Sequence, residues 1–119
     1  MAVFNAPLDL DDHETAAVRC AIEMQENMKA SGLGVEIGVG VQTGDAVLGN
    51  MGSKDRFTYT VIGDSVNQAA RYESATKKVG TNIIVGHETA TNCKYLLKSL
   101  DPIKVKGKSE PLRIYTYAD

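Results

Sequence analysis

The stretch TVIGDSVNQAAR, residues 60–71, joins a β-branched segment to a segment of helix-forming residues. Threonine, valine and isoleucine favour a strand, and the Gly-Asp pair that follows them ends it. Asp64 is predicted to cap a helix that runs from about Ser65 to Lys78 and ends at Gly80. The stretch therefore predicts a strand followed directly by a helix, and the other elements are placed around this unit.

Two polar side chains of this predicted helix, Asn67 and Arg71, are four residues apart and share one face. A helix N-terminus favours anions, and the planar arginine fork suits phosphate oxygens. These features together predict a site for a phosphate-containing ligand. The alternative is an ordinary solvated face in which Arg71 pairs with Glu73, Glu88 or another acid, and the pattern alone leaves both interpretations open.

Upstream, residues 35–42 alternate as a strand does, with valine and isoleucine on one side. The other side presents Glu36, Gly38, Gly40 and Gln42, so it is nearly bare. Glycine in a strand marks a close approach, either of a ligand or of a helix packed tightly over the sheet. Both explanations remain open.

The rest of the chain predicts further helices and strands. A helix from Asp11-Asp12 to Ser31-Gly32 has one apolar stripe, formed by Ala17, Cys20, Ala21, Met24 and Met28. A short helix follows residue 86, and strands are predicted at 1–4, 46–49, 57–62, 82–85, 98–106 and 112–117. This order predicts an α+β fold with helices packed on a mostly antiparallel sheet.

Composition excludes several classes of protein. The 119 residues suffice for one domain, residues 1–119, and the net charge of −2 without tryptophan disfavours a nucleic-acid partner. Two distant cysteines, Cys20 and Cys93, predict buried thiols and a reducing, cytoplasmic location. No apolar run could span a bilayer, and the two histidines lack the neighbours of a metal cluster.

The segment GVGVQTGDAVLGNMGSKDRFTYTVIGDSVNQAARYESATK, residues 38–77, resembles the C-terminal part of the catalytic domain of class III adenylate/guanylate cyclases. The flanks MAVFNAP and VKGKSEPLRIY agree with the same family, so the resemblance covers essentially the whole chain. It implies a ferredoxin-like class III cyclase fold that is truncated at its N-terminus and lacks the first strand and helix. Met1 is then expected to be an internal methionine of a longer parent.

The resemblance also implies roles for individual residues. Asn67 and Arg71 match the pair that binds the ribose and α-phosphate in the transition state, and Thr60 matches a purine contact in which threonine is typical of adenylate-forming bacterial enzymes. Lys106 matches a lysine that contacts the terminal phosphates, with Lys108 as the less favoured candidate. The family's two metal-binding aspartates and its purine-contacting lysine are expected upstream of Met1. The chain itself is therefore predicted to bind no metal, whereas the complete domain uses two Mg or Mn ions.

The function that the resemblance implies is part of an adenylate cyclase, which converts ATP to cyclic AMP and pyrophosphate. The chain alone is expected to be inactive, to form a homodimer or swapped oligomer, and to follow a sensor or regulatory domain in a parent that could be membrane-attached. The alternative is a non-catalytic dimerisation or nucleotide-binding module of cyclase fold. An unrelated ferredoxin-like interaction domain is disfavoured by the length of the matching motif.

Overall fold

The computed structural model describes residues 1–6, 8–51, 58–104 and 110–117, with the backbone alone at residues 50, 51 and 58–60. No helix in these ranges is both long enough and apolar enough to cross a membrane. The elements, in chain order, are α1 (His13–Ser31), β1 (Val39–Val41), β2 (Val47–Met51), β3 (Thr58–Ile62), α2 (Asp64–Val79), β4 (Ile83–Gly86), α3 (His87–Asn92), β5 (Lys98–Ser99) and β6 (Ile114–Thr116).

The strands form two sheets in the described part of the chain. A four-stranded sheet has the order β1-β4-β6-β5, and β2 with β3 forms a separate antiparallel hairpin. β1 and β4 pair in parallel, whereas β4–β6 and β5–β6 are antiparallel. A parallel pair needs a crossover between its strands, and α2 lies in that crossover. The predicted α+β fold with a mostly antiparallel sheet is confirmed, with one parallel pair in it.

Strand β4 is buried on both faces and divides the core in two. Ile83 and Val85 face α1, and Ile84 faces α2. The first cluster joins them to Val18, Ala21, Ile22 and Val41, and the second joins Ile84 to Tyr72 and Ile114. Helices therefore cover both faces of the sheet, which explains why residues 83–85 are continuously apolar rather than alternating.

The ends of the two long helices test the predicted caps. Gly32 and Gly80 both adopt the left-handed conformation that ends a helix, with φ of 69° and 81°, as predicted. The predicted cap at Asp64 is wrong by one residue, because Gly63 is the N-cap and Asp64 is the first helical residue. The carboxylate still lies in the first turn, where the helix dipole favours it.

The apolar stripe predicted for α1 overlaps its buried side only in part. The buried residues of α1 are Thr15, Val18, Ala21 and Ile22; of the stripe, Ala21 is among them and Ala17 packs against the same core cluster. The helix is apolar on two sides, and periodicity does not choose between them. The predicted buried thiols are wrong, because Cys20 and Cys93 are free and half-buried.

Several predicted strands are shorter than their patterns. Residues 35–42 give a strand at Val39–Val41 only, since the carbonyl of Ile37 accepts a 2.7 Å hydrogen bond from the Gln25 side chain. Residues 98–106 give Lys98–Ser99 and one bridge from Ile103 to Leu112, and part of this segment lies outside the described residues. Residues 1–4 form no strand in the described structure.

Helix α2 packs directly on the glycine side of β1. A Cβ at Gly40 would lie 2.6 Å from the Glu73 backbone nitrogen and 2.9 Å from Tyr72 Cβ. A Cβ at Gly38 would lie 3.1 Å from the Glu73 carbonyl oxygen. Both glycines therefore admit the helix backbone, and the helix-packing interpretation of the bare strand face is confirmed.

Replacing Gly40 with alanine tests this packing. We expect Gly40→Ala to lower the free energy of unfolding by about 1–3 kcal/mol, because backbone atoms of α2 must move to admit the methyl group. Gly49→Ala is the matched control, since no described atom lies within 4 Å of a Cβ at Gly49 in β2. Urea unfolding measures both variants, and equal effects of the two substitutions would contradict the close packing.

The free edge of β1 borders a cavity. β1 pairs with β4 on one side, and no described strand pairs with its other side. A cavity of about 640 Å³ lies there, lined also by residues 1–4, by one side of α1 that includes Met24, and by α2. An unpaired edge flanked by apolar side chains favours association with another chain.

The 119-residue chain is therefore expected to dimerise or swap segments through this edge. Light scattering across a wide concentration range should show a mass above that of the monomer. Met24→Lys should weaken the association, because a charge would enter the cavity, whereas Leu96→Lys should not, since Leu96 is 95% exposed and does not line the cavity. A monomer at all concentrations would contradict the expectation.

Candidate active site

The turn after β1 fixes the start of α2. The Ser65 hydroxyl donates a 3.0 Å hydrogen bond to the carbonyl oxygen of Asp45. A Cβ at Gly44 would come 2.7 Å from Ser65 Cβ, and one at Gly63 would come 2.9 Å from the Asp45 carbonyl oxygen. The two glycines thus let the turn and the β3–α2 junction approach to contact distance, and this contact positions the helix N-terminus.

The first turn of α2 presents free backbone donors. The hydrogen bond from the Asn67 nitrogen to the Gly63 carbonyl, at 3.3 Å, joins the first turn of the helix to its N-cap. The amides of Ser65 and Val66 precede it and have no acceptor within the helix. They point out of the helix end together with the positive end of its dipole, which is the arrangement that binds anions.

Asn67 and Arg71 both lie on the solvent-exposed side of α2. Neither side chain makes a hydrogen bond or an ion pair with any residue that the structure describes. Arg71 therefore makes no ion pair with Glu73 or Glu88 in the described chain, and the interpretation as an ordinary solvated helix face stays open beside the anion-site prediction. An amide and a guanidinium are available on one face, within about the first two turns of the helix.

The other predicted site residues are placed less completely. Thr60 lies in β3, three residues before Gly63, and its backbone is opposite Gly49 of β2. Its side chain and the whole of Lys106 and Lys108 lie outside the described residues. The structure thus brings Asn67 and Arg71 together and leaves the roles of Thr60 and Lys106 as predictions.

The inward side of the same helix ends in a chain of polar contacts. Gln42 Nε2 donates to Gln68 Oε1 at 2.6 Å and to Glu88 Oε2 at 3.1 Å, and Gln68 Nε2 donates to Asp64 Oδ2 at 3.3 Å. Gln68 is 8% exposed. Burial, with a smaller contribution from the charge of Glu88, raises the pKa of Tyr72 to about 12.

These inward residues are the part of the site region that sequence patterns did not identify. Gln42 was visible as the polar residue beside Gly38 and Gly40 on the bare side of β1. Its partners Gln68 and Glu88 are 26 and 46 residues away in sequence, so nothing local indicates the contact.

The described residues offer no obvious metal site. Nowhere among them do three histidine, cysteine, aspartate or glutamate side chains come together. Asp45 and Asp64 lie at the turn and at the helix start, and Asp64 accepts the hydrogen bond from Gln68. The donor set seen here therefore does not fit a pair of divalent ions, which prefer several carboxylate oxygens.

Comparison with known proteins points to one family. The sequence profile of the adenylate and guanylate cyclase catalytic domain matches residues 1–118. Adenylate cyclase 1 of Rhizobium meliloti is 37% identical over 124 residues, which cover 96% of this chain and 19% of that protein. The chain thus spans about a fifth of the length of this relative.

Solved structures give the same result. The adenylyl cyclase CyaB from P. aeruginosa superimposes with a TM-score of 0.80 at 32% identity, covering 98% of this chain and 65% of that chain. The guanylyl cyclase Cya2 superimposes with a TM-score of 0.75, also at 32% identity, covering 94% and 61%. The neighbours therefore include proteins named for either nucleotide.

Proposed function

Because the chain belongs to the family of adenylate and guanylate cyclase catalytic domains, we propose that it supplies the Asn67–Arg71 half of a cyclase active site. The observation that supports this most is the exposed pair on α2, which has no partner among the described residues and lies next to free amides at the helix start.

The reaction proposed for the complete site converts ATP to cyclic AMP and pyrophosphate. The 3′-hydroxyl gives up its proton to solvent, its oxygen bonds to the α-phosphorus, and the bond from that phosphorus to the bridging oxygen of pyrophosphate breaks. Negative charge grows on the phosphate oxygens during this step. The Arg71 guanidinium donates hydrogen bonds to the α-phosphate oxygens, and the Asn67 amide holds the ribose.

Two divalent ions, Mg or Mn, are proposed for the complete domain and not for the residues described here. When bound, such ions neutralise phosphate charge and lower the pKa of the attacking hydroxyl. The carboxylates that hold them would come from outside this stretch. What this chain contributes is orientation and charge stabilisation by Asn67 and Arg71.

The same proposal includes three further points: the nucleotide is ATP, the site forms between two cyclase domains, and another domain regulates them. Thr60 is proposed to contact the purine and Lys106 the terminal phosphates. The site is proposed to form between two cyclase domains, with the β2–β3 hairpin reaching over the partner. A sensor domain is proposed to control the pair. Homologues much longer than this chain support the presence of further domains.

An anion titration tests the binding half of the proposal. Pyrophosphate and ATP should shift the amide resonances of Ser65 and Val66 and the Arg71 Nε–H resonance in NMR spectra. The affinity should lie near the millimolar end, because about half of the contacts are missing, and a millimolar Kd corresponds to about −4 kcal/mol. Arg71→Ala should weaken the response.

Lys78→Ala is the matched control for this titration. Lys78 is exposed on the last turn of α2, so its removal changes net charge equally without touching the helix start. Its titration should match that of the wild type. Shifts confined to other parts of the chain, or equal losses in both variants, would contradict a site at this helix end.

An activity assay tests the catalytic half. The isolated chain should make no detectable cyclic nucleotide, even with excess manganese, because metal clamping and nucleophile activation are each worth several kcal/mol. Mixed with an intact cyclase domain whose aligned arginine is changed to alanine, the chain should restore part of the activity wherever a heterodimer forms.

The same chain with Arg71→Ala should restore nothing in that mixture. Light scattering would establish that both mixtures contain the heterodimer. Cyclase activity in the isolated wild-type chain, persisting through purification to homogeneity, would overturn the proposal that the metal ligands lie elsewhere. Rescue that does not depend on Arg71 would overturn the role of that arginine.

A further inference from the structure

The amide of Gln42 has one orientation in the structure. Both of its N–H groups are used, one on Gln68 Oε1 at 2.6 Å and one on Glu88 Oε2 at 3.1 Å. Turning the amide over would bring its carbonyl oxygen against these two acceptors. The Gln42 amide therefore donates one hydrogen bond to α2, at Gln68, and one to α3, at Glu88.

This orientation of the Gln42 amide carries a free-energy penalty, which a purely stabilising role for Gln42 does not explain. Gln42 Oε1 is buried and has no hydrogen-bond partner among the described residues. It lies so close to Gly86 that a Cβ there would collide with it. A buried acceptor without a donor destabilises a fold, and an apolar residue at this position would avoid the penalty.

The contact lies on the inward side of α2. Gln68 and Tyr72 lie one turn apart on the inward stripe of α2, and both are buried. Asn67 immediately precedes Gln68, and Arg71 immediately precedes Tyr72, so both point about 100° away around the helix axis. A rotation that breaks the Gln42–Gln68 hydrogen bond would therefore turn Asn67 and Arg71 by the same angle.

We propose that Gln42 is a positioning residue that, through Gln68 and Glu88, sets the rotation of α2 and so the direction of Asn67 and Arg71. This inference rests on the proposed function only where it concerns phosphate binding by Asn67 and Arg71. The effect of Gln42 on the rotation of α2 is independent of that function. The hydrogen bond to Glu88 connects the same amide to α3. Gln42, which directly follows β1, therefore contacts the N-terminal parts of both helices. Gln42 itself touches no substrate in this scheme.

Three variants of the full chain test the proposal. Gln42→Met and Gln68→Met each leave a polar partner unsatisfied, and the double variant Gln42→Met/Gln68→Met replaces both amides with apolar groups of similar shape. Replacing both partners can be nearly neutral for stability, so the double variant keeps the test available where a single variant fails to fold. Urea unfolding midpoints measure stability for each.

Gln25→Met is the matched control. The Gln25 amide also donates two hydrogen bonds, to the Ile37 carbonyl at 2.7 Å and the Asn82 carbonyl at 3.2 Å, but it makes none to α2. Its loss should lower the unfolding midpoint as a buried polar contact does. It should leave the rotation of α2 unchanged.

The first measurement is ligand-free. Residual dipolar couplings of backbone N–H and Cα–Hα groups report the rotation of α2 about its own axis relative to β4, because the Cα–Hα bonds point across that axis. We expect the α2 couplings to change in the double variant, with its midpoint near that of the wild type, and to stay unchanged in Gln25→Met. Couplings in the double variant that superimpose on those of the wild type would overturn the proposal, and so would equal changes in Gln25→Met.

The second measurement is pyrophosphate titration of the same samples. The dissociation constant read at Ser65 and Val66 should rise about threefold or more in the double variant and not in Gln25→Met. A wild-type dissociation constant in the double variant would overturn the proposed link between Gln42 and the anion site. If pyrophosphate moves no resonance at this helix in the wild type, the proposed function fails, while the couplings still decide the role of Gln42.

Discussion

The close contact between α2 and the bare backbone of β1 is the constraint on which the rest of the structure depends. Gly40 lets the Ala69 and Glu73 backbone come within van der Waals distance of the strand, closer than any side chain would allow. At that separation the helix has little freedom to slide along the sheet, because close-packed atoms transmit small displacements. The glycine contact therefore sets the distance between α2 and the sheet, and the Gln42–Gln68 contact is proposed to set the rotation of the helix about its axis.

Local signals in the sequence predicted what is local in the structure. Gly32 and Gly80 end helices because glycine adopts the left-handed conformation without strain, and glycines can be read directly from the sequence. The core face of α1 was not predictable in the same way. Val18 and Ile22 pack on the sheet, whereas Cys20 and Met24 line the cavity beside β1, and both sets have helical spacing. Which one is buried depends on where the sheet lies, and no local pattern states that.

The two sides of α2 differ in the same respect. Asn67 and Arg71 could be proposed as a site because four-residue spacing on a helix puts them side by side, and a family motif supported the pair. The Gln42–Gln68 contact joins residues 26 apart, and it exists only because β1 and α2 are neighbours in the fold. A glutamine in a strand and a glutamine in a helix have no sequence signature as a pair. The residues proposed to touch the ligand were therefore predictable, and the residue proposed to aim them was not.

No described acid pairs with Arg71, and this is consistent with its proposed role on energetic grounds. An exposed ion pair with Glu73 would stabilise the fold by roughly 0.2–1 kcal/mol, so its absence costs little. A hydrogen bond from a charged donor is worth about 1.5–3 kcal/mol, and the arginine fork can make two to a phosphate. A pre-existing ion pair would have to break before those bonds form, and its energy would be subtracted from binding. An exposed arginine that the described chain leaves unpaired, on a helix held in place by its opposite face, avoids that loss.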